Sequence, residues 1–288
     1  MYLFIYVDIR FKERKLLRKR DNSVSLGVAI VTLNEEEMIS GCLDSISWAP
    51  ECLVVDSGSH DNTVFLAQKG GAKVLHKPWI GYADQKNFAM DQLCKEWILI
   101  LDADERVTTE LADEIRELIR NWRKGHPEGF LIPFRQHVLN RRLHYGGWGK
   151  EYFILRLFRR GLGRYKSQGV HERLDFQGTL GKLRSPIVHY PYRTISQMIQ
   201  KQYRYASLEA SELLKQGHRP VAARDFILRP IRYWIHRYLF LMGFLDGTPG
   251  LVVASMHAFC RFLVMVRLWE LQRNLASTER GSKDTLSG

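Results

Sequence analysis

The stretch WILILDADERV, Trp97 to Val107, decides how the rest of the chain is read. Ile98 to Leu101 are four consecutive aliphatic residues with no alternation. That spacing predicts a strand covered on both faces, as in a parallel sheet. Asp102 and Asp104 stand just past it, at the edge where open α/β sheets bind their ligands. Two carboxylates can equally begin a loop and cap the next helix, so the neighbouring segments have to decide.

On either side the pattern repeats. From Ser25 to about Trp122, strand-like runs (LGVAIVTL, CLVVD, KVLH) alternate with helical ones (YADQKNFAMDQLC and TTELADEIRELIRNW). Leu111, Ile115, Leu118 and Ile119 fall on one helical face. Such alternation implies a mostly parallel α/β sheet with right-handed crossovers and flanking helices. From Gly129 to His189, FLIPFRQHVL, FILRLFRR and KLRSPIVHY are short β-like runs divided by the glycine-rich YGGWGKE and RGLGRY. They are expected to form the far side of the same domain. After Pro191 the chain turns helical. SQMIQKQYRYASLEASELLKQG is one helix ending at Gly217, and RPIRYWIHRYLFLMGF is another, opened by Pro230. In the second, Ile231, Ile235, Leu239 and Met242 share a face, with Arg232 and His236 beside them.

Composition narrows the possibilities. Of the 288 residues 45% are hydrophobic, enough for a folded core. The net charge of +12 is concentrated in the flanks: residues 1–20 carry +5 and residues 182–274 carry +9, leaving the body slightly acidic. An anionic partner therefore meets the flanks, as nucleic acid or as an anionic membrane surface. Nucleic acid is disfavoured, because the basic residues lie on helices with apolar stripes and no recognised DNA or RNA motif is present. Cys42, Cys52, Cys94 and Cys260 match no zinc or redox spacing and fit buried, reduced thiols. MYLFIYV is too short for a signal peptide and is broken by Asp8. Leu251 to Val266 holds His257 and Arg261 and falls short of the ~20 clean residues of a spanning helix. The expectation is peripheral membrane association.

Acidic residues end three strands in series. VTLNEEE (Val31 to Glu37) closes the first, and its Asn34 and Glu37 also fit a helix-capping pair. VVDSGSHDNT closes the second. Asp61 there suits a cap, whereas Asp56 comes too early for one and fits a ligand role. With Asp102 and Asp104, like charges gather on one sheet edge and need a cation or a donor-rich ligand to offset them. A divalent cation, Mg²⁺ or Mn²⁺, is the natural offset, with water and phosphate completing its shell. Asp56 then suits a base N–H, Asp102 the ribose and Asp104 the metal. No glycine-rich phosphate loop follows the first strand, which argues against NAD or P-loop chemistry.

VTLNEE, VVDSGSHDNT, GYADQKNFA, LDADE, LRLFRR, VHE, IVHYPY and GFLDG, in that order over residues 26 to about 270, resemble the inverting glycosyltransferases of family 2. These have the GT-A fold, and the nearest likeness is to the lipopolysaccharide-core β-glucosyltransferase type. The resemblance implies that Asn34, Glu35 and Asp56 line a nucleotide pocket. It puts Gln85, Lys86 and Asn87 near the ribose or diphosphate, Asp102 and Asp104 in a DxD motif, and His189 on the metal with Asp104 and Asp102. Lys86 also fits a plain surface lysine, and His171 competes with His189. Inverting transfer needs a carboxylate base on the acceptor side. Glu172 in GVHERL is the first candidate and Glu151 in GGWGKEY the alternative. GGWGKEYFILRLFRR departs from the core-glucosyltransferase pattern by lacking its Pro-Asp, which bears on acceptor and donor identity.

The resemblance thus implies a hexosyltransferase, glucose being the first candidate sugar. It would use a nucleoside-diphosphate sugar donor and a lipid-linked glycan acceptor at the inner face of the cell membrane. The alternatives are a polyprenyl-phosphate glycosyltransferase or a nucleotidyltransferase on the same fold. The expected organisation is a basic arm over 1–24 and a GT-A catalytic domain over 25–190, its donor half reaching about 125. A helical membrane-proximal region over 191–275 and a flexible tail over 276–288 follow.

Overall fold

The structure, a computed structural model, describes residues 20–149, 152–168 and 171–284. Most of the predicted basic arm, residues 1–19, and Glu151 lie outside it. The chain opens as β1 (Leu26–Thr32), α1 (Ile39–Ser45), β2 (Glu51–Asp56), α2 (Thr63–Lys69), β3 (Lys73–His76), α3 (Tyr82–Asp91) and β4 (Trp97–Asp102). Next come β5 (Glu105–Val107), α4 (Thr109–Asn121), β6 (Gly129–Val138), β7 (Arg141–Arg142) and β8 (Tyr152–Arg159). The strands β9 (Gly163–Gln168), β10 (His171–Phe176), β11 (Leu180–Lys182) and β12 (Ile187–Tyr192) precede three helices, α5 (Ile195–Lys215), α6 (Asp225–Ile235) and α7 (Gly247–Asp284).

The main sheet runs β3-β2-β1-β4-β8-β6-β12-β5, with β7 and β11 also pairing to β6. β1 to β4 are mutually parallel, as the alternating pattern predicts, while β8 enters antiparallel between β4 and β6. The chain winds outward from β1 through β2 to β3, then crosses back by α3 to place β4 on the other flank of β1. That reversal opens a crevice at the carboxyl ends of β1 and β4, the position at which such sheets take ligands. β9 and β10 form a separate antiparallel ribbon, which packs on α3.

Both faces of the central strands are covered, which accounts for the unbroken apolar run in β4. On one side Leu99 and Leu101 pack with Val28, Ile30, Ile39, Leu111 and Ile115. On the other, Ile98 and Ile100 pack with Ala29, Leu53, Ala89 and Met90. All four β4 residues are at most 1% exposed, and fully burying each contributes ~1.5–3 kcal/mol.

α5 and α7 pack through Ala206 and Ala210 against Cys260, Val264 and Leu268. A second cluster, with Val138, Tyr192, Met198 and Val253, ties these helices to β6 and β12. α5 is therefore fixed relative to the sheet edge. Three expectations need correction. Cys94 is exposed and Cys52 half-buried, so only Cys42 and Cys260 are buried thiols. α6 begins at Asp225, with Pro230 inside it rather than at its start. Helical structure also lengthens the C-terminal apolar stretch. Among the described residues one helical segment, Gly243–Leu275, is long and apolar enough by length and composition to cross a membrane, its most apolar 18-residue stretch having mean hydropathy 1.7.

Candidate functional site

The register brings the acidic strand ends together. Asp102 stands opposite Val31, and Asp56 opposite Thr32. The tight turn after β4 returns the chain into β5, which pairs with β12 and sets Glu105 opposite His189. The Tyr190 N–H donates to the carbonyl of Asp104 at 2.9 Å, so β12 clamps the Asp-Ala-Asp turn.

Asp102 keeps a third of its side chain open to the cleft and binds two cations from beneath. Lys86 Nζ lies 3.1 Å from Oδ1 and Arg156 donates to Oδ2 at 2.9 Å. Burial disfavours its charge, but Lys86 and Arg156 outweigh that and hold the carboxyl far below the usual range. Arg156 also reaches buried Glu105 at 2.5 Å, whose other oxygen accepts the Asp102 N–H. Asp104 faces His189 Nε2 at 3.5 Å and Lys201 Nζ at 3.4 Å. Burial again opposes ionisation, and His189 and Lys201 reverse it, so Asp104 is ionised. The same contact raises the pKa of His189 against the effect of its burial.

Glu35 is the counterweight. Burial first, then repulsion from Asp104, pushes its carboxyl up to about 7, although Lys201 pulls the other way. Its N–H donates to Thr63 Oγ1 at 2.8 Å. Asn34 adopts a left-handed φ of 54°. Its N–H donates to Ser59 Oγ, and its side-chain oxygen accepts the His60 N–H at 2.9 Å. The capping expectation for Asn34 and Glu37 is not met, since α1 starts only at Ile39 with no side-chain cap. Asp56 instead organises the turn after β2, accepting from the Gly58 and Ser59 N–H groups at 2.9 Å each and from Ser59 Oγ at 2.5 Å. Asp61 accepts N–H groups from Glu36 and Thr63 and so joins this turn to the β1–α1 loop.

α3 contributes three neighbours with different environments. Lys86 is only 2% exposed, so the surface-lysine reading fails. Gln85 donates to the carbonyls of Lys77 and Pro78, and its own carbonyl oxygen is buried with no hydrogen-bond partner among the described residues. Asn87 binds the Tyr165 backbone with both ends of its amide, at 2.9 Å each, so it fastens the β9–β10 ribbon to α3. Glu172 pairs with Ser167 within that ribbon, and its side chain lies outside the described structure.

Three residues at the centre of the site carried no assignment in the sequence reading. Arg156 left a signal, because an arginine between Leu155 and Leu157 in a buried strand requires charged partners. Glu105 left a weaker one, as a third acid beside the pair. Lys201 left none: it lies 97 residues from Asp104 on an ordinary amphipathic helix.

Among the described residues no group of three or more His, Cys, Asp or Glu side chains is arranged to hold a metal alone. Asp104 and His189 nevertheless face each other as a carboxylate and an imidazole. Two protein ligands suit Mg²⁺ or Mn²⁺ when a diphosphate and water supply the remainder.

Comparison with known proteins shows what the chain is similar to. The profile described as glycosyl transferase family 2 matches residues 27–175. The lipopolysaccharide core biosynthesis glycosyltransferase LpsC of Rhizobium meliloti is 30% identical over 91% of this chain and 97% of its own length. An uncharacterized glycosyltransferase of Rickettsia bellii is 32% identical over 84% of this chain and 85% of its own. Glucosyl-3-phosphoglycerate synthase of Mycobacterium tuberculosis, solved with Mn²⁺, UDP and glucosyl-3-phosphoglycerate, is 22% identical with a TM-score of 0.31, over 40% of this chain and 44% of that one.

Proposed function

This chain belongs to glycosyltransferase family 2, and from that premise we propose that it moves a hexose, with inversion, from a nucleoside-diphosphate sugar to a lipid-linked glycan. The observation that carries the reading is Asp104, ionised and facing both His189 and Lys201 beside Asp102 at the β1–β4 crevice. Asn34, Glu35 and Asp56 line the same edge and are assigned to the nucleotide. Gln85 and Lys86, which the resemblance assigns to the ribose and diphosphate, are buried below that edge and act on them through the Lys77–Pro78 backbone and Asp102.

Departure of a nucleoside diphosphate leaves negative charge on its terminal phosphate, and positive groups at that point lower the barrier. Lys201 supplies one such charge directly. A divalent cation held by Asp104 and His189 supplies more when bound. Lys86 and Arg156 neutralise Asp102 from below, so the cleft accepts an anion without repulsion from both carboxylates. The attacking hydroxyl loses its proton to a carboxylate on the opposite side of the sugar. Glu172 on the β9–β10 ribbon is assigned that role, with Glu151 as the alternative. The lipid-linked acceptor places the work at the inner membrane face, to which the basic helical region contributes attraction.

The test is thermal shift with UDP-, GDP-, ADP- and dTDP-sugars, each with and without Mn²⁺. The expected outcome is a metal-dependent rise for one nucleotide, abolished in Asp104→Ala. No shift with any donor would remove the transferase reading's main support.

A further inference from the structure

α6 does not end cleanly. It continues as a π-helical turn, His236–Phe240, reverses at Met242 in the left-handed conformation (φ 55°), and passes through a short 3₁₀ turn, Gly243–Asp246, into α7. This elbow carries Leu239, Phe240, Met242, Phe244 and Leu245 on its outside, each at least 46% exposed, with Phe240 at 74%. Ile231 on α6 extends the patch at 49%. Five exposed apolar side chains within residues 239–245 exceed ordinary surface scatter and suit an interaction site.

Charge identifies the partner. Arg224 at the start of α6 and Arg232 within it are exposed, as is His236 at its end. The segment 224–251 holds just two acids, and both are occupied within the protein. Asp225 is bound by Arg219 at 2.7 and 2.9 Å. Asp246 accepts the His144 and Tyr145 N–H groups at 3.0 and 2.9 Å. The elbow's apolar side chains therefore follow a helix that exposes Arg224 and Arg232, and the two acids of the segment are engaged within the protein. Trp234 and Tyr238, their rings tilted at 34° with centres 4.7 Å apart, add the aromatic pair that favours a membrane–water boundary.

We propose that this elbow, with the outer face of α6, inserts into the headgroup–acyl boundary of an anionic lipid bilayer and so orients the acceptor half of the enzyme toward lipid. The proposal rests on the lipid-linked acceptor reading and adds the surface that reaches it. The elbow is fastened to the glycine-rich loop before β8: the Gly146 N–H donates to the Leu241 carbonyl at 2.8 Å, and the Arg237 guanidinium lies 5.6 Å from the Trp148 ring centre. Insertion of one therefore positions the other.

The test is flotation of the full chain with vesicles of phosphatidylcholine alone and of phosphatidylcholine with phosphatidylglycerol, at low and high salt. The expected result is salt-sensitive binding to the anionic vesicles. Phe240→Asp with Leu245→Asp weakens it by about tenfold or more, with the melting temperature and the donor-dependent thermal shift unchanged. Arg224→Glu with Arg232→Glu removes the preference for phosphatidylglycerol. Equal binding by the double-aspartate variant, or no binding by the native chain, overturns the proposal. So does a concentration-dependent dimer that the double-aspartate variant dissolves, since the patch would then be a contact between two copies. A native chain that floats but shows no donor shift would instead overturn the transferase reading and leave the elbow standing.

Discussion

At the scale of single residues, the site is a balance of buried charges, and Glu35 stands on its unfavourable side. An unfolded glutamate releases its proton near the ordinary 4.5, whereas burial and Asp104 raise the folded value to about 7. Between those values the folded state holds the extra proton, so this group's contribution to stability falls as pH rises through the window and levels off above it. Glu35→Gln keeps the shape and removes the charge. The variant is expected to melt above the native chain at pH values beyond about 7, and the difference is expected to vanish toward about pH 4.5. Melting curves across that range check this, and a constant difference would show that Glu35 is already paired when ionised. The acidic strand ends and the buried nature of β4 were readable from residue type alone. The cations that make the acids tolerable were not, because Lys201 and Arg156 reach them across 97 and 54 residues, and sequence spacing carries no record of such contacts.

At the scale of elements, α3 and the β9–β10 ribbon form one packed unit, joined by Asn87 and by Lys86 lying 5.4 Å from the Tyr165 ring centre. The resemblance implies a ribose or diphosphate contact for Asn87, while the geometry commits both ends of its amide to the Tyr165 backbone. The two roles have different signatures. Asn87→Ala leaves a buried backbone N–H and carbonyl unpaired and is expected to cost ~1–3 kcal/mol of stability, with donor affinity reduced only modestly. Denaturant unfolding together with donor titration separates the cases: unchanged stability with strongly weakened donor binding would restore the nucleotide role. Element boundaries were readable where apolar period and length agree, as in β4, which matches the predicted WILILD run. They were not readable at α6. Pro230 favours a first turn locally, yet Asp225, held by Arg219 and accepting the Ala222 N–H, starts the helix earlier.

At the scale of the whole molecule, the catalytic sheet and the helical region meet around His257. Its ring on α7 lies 5.3 Å from that of Trp148 in the glycine-rich loop and 6.4 Å from that of Tyr233 on α6. Burial, then repulsion from Arg237 and Arg261, drives its pKa down to about 3. The unfolded chain protonates this histidine near 6.5 and the folded chain does so only near 3. The unfolded state therefore binds more protons in between, and stability present above about 6.5 is lost as pH falls through that interval. The sign is opposite to that of Glu35, so between about pH 4.5 and 6.5 the two contributions offset each other and their joint maximum is a broad, mildly acidic plateau. His257→Leu keeps a packed, neutral side chain at the junction. It is expected to flatten the acid limb of the melting-temperature profile below about pH 6.5 while leaving the alkaline limb as it is. An acid limb as steep in the variant as in the native chain would place the acid sensitivity among the carboxylates of the crevice instead, and the junction would then hold by packing alone.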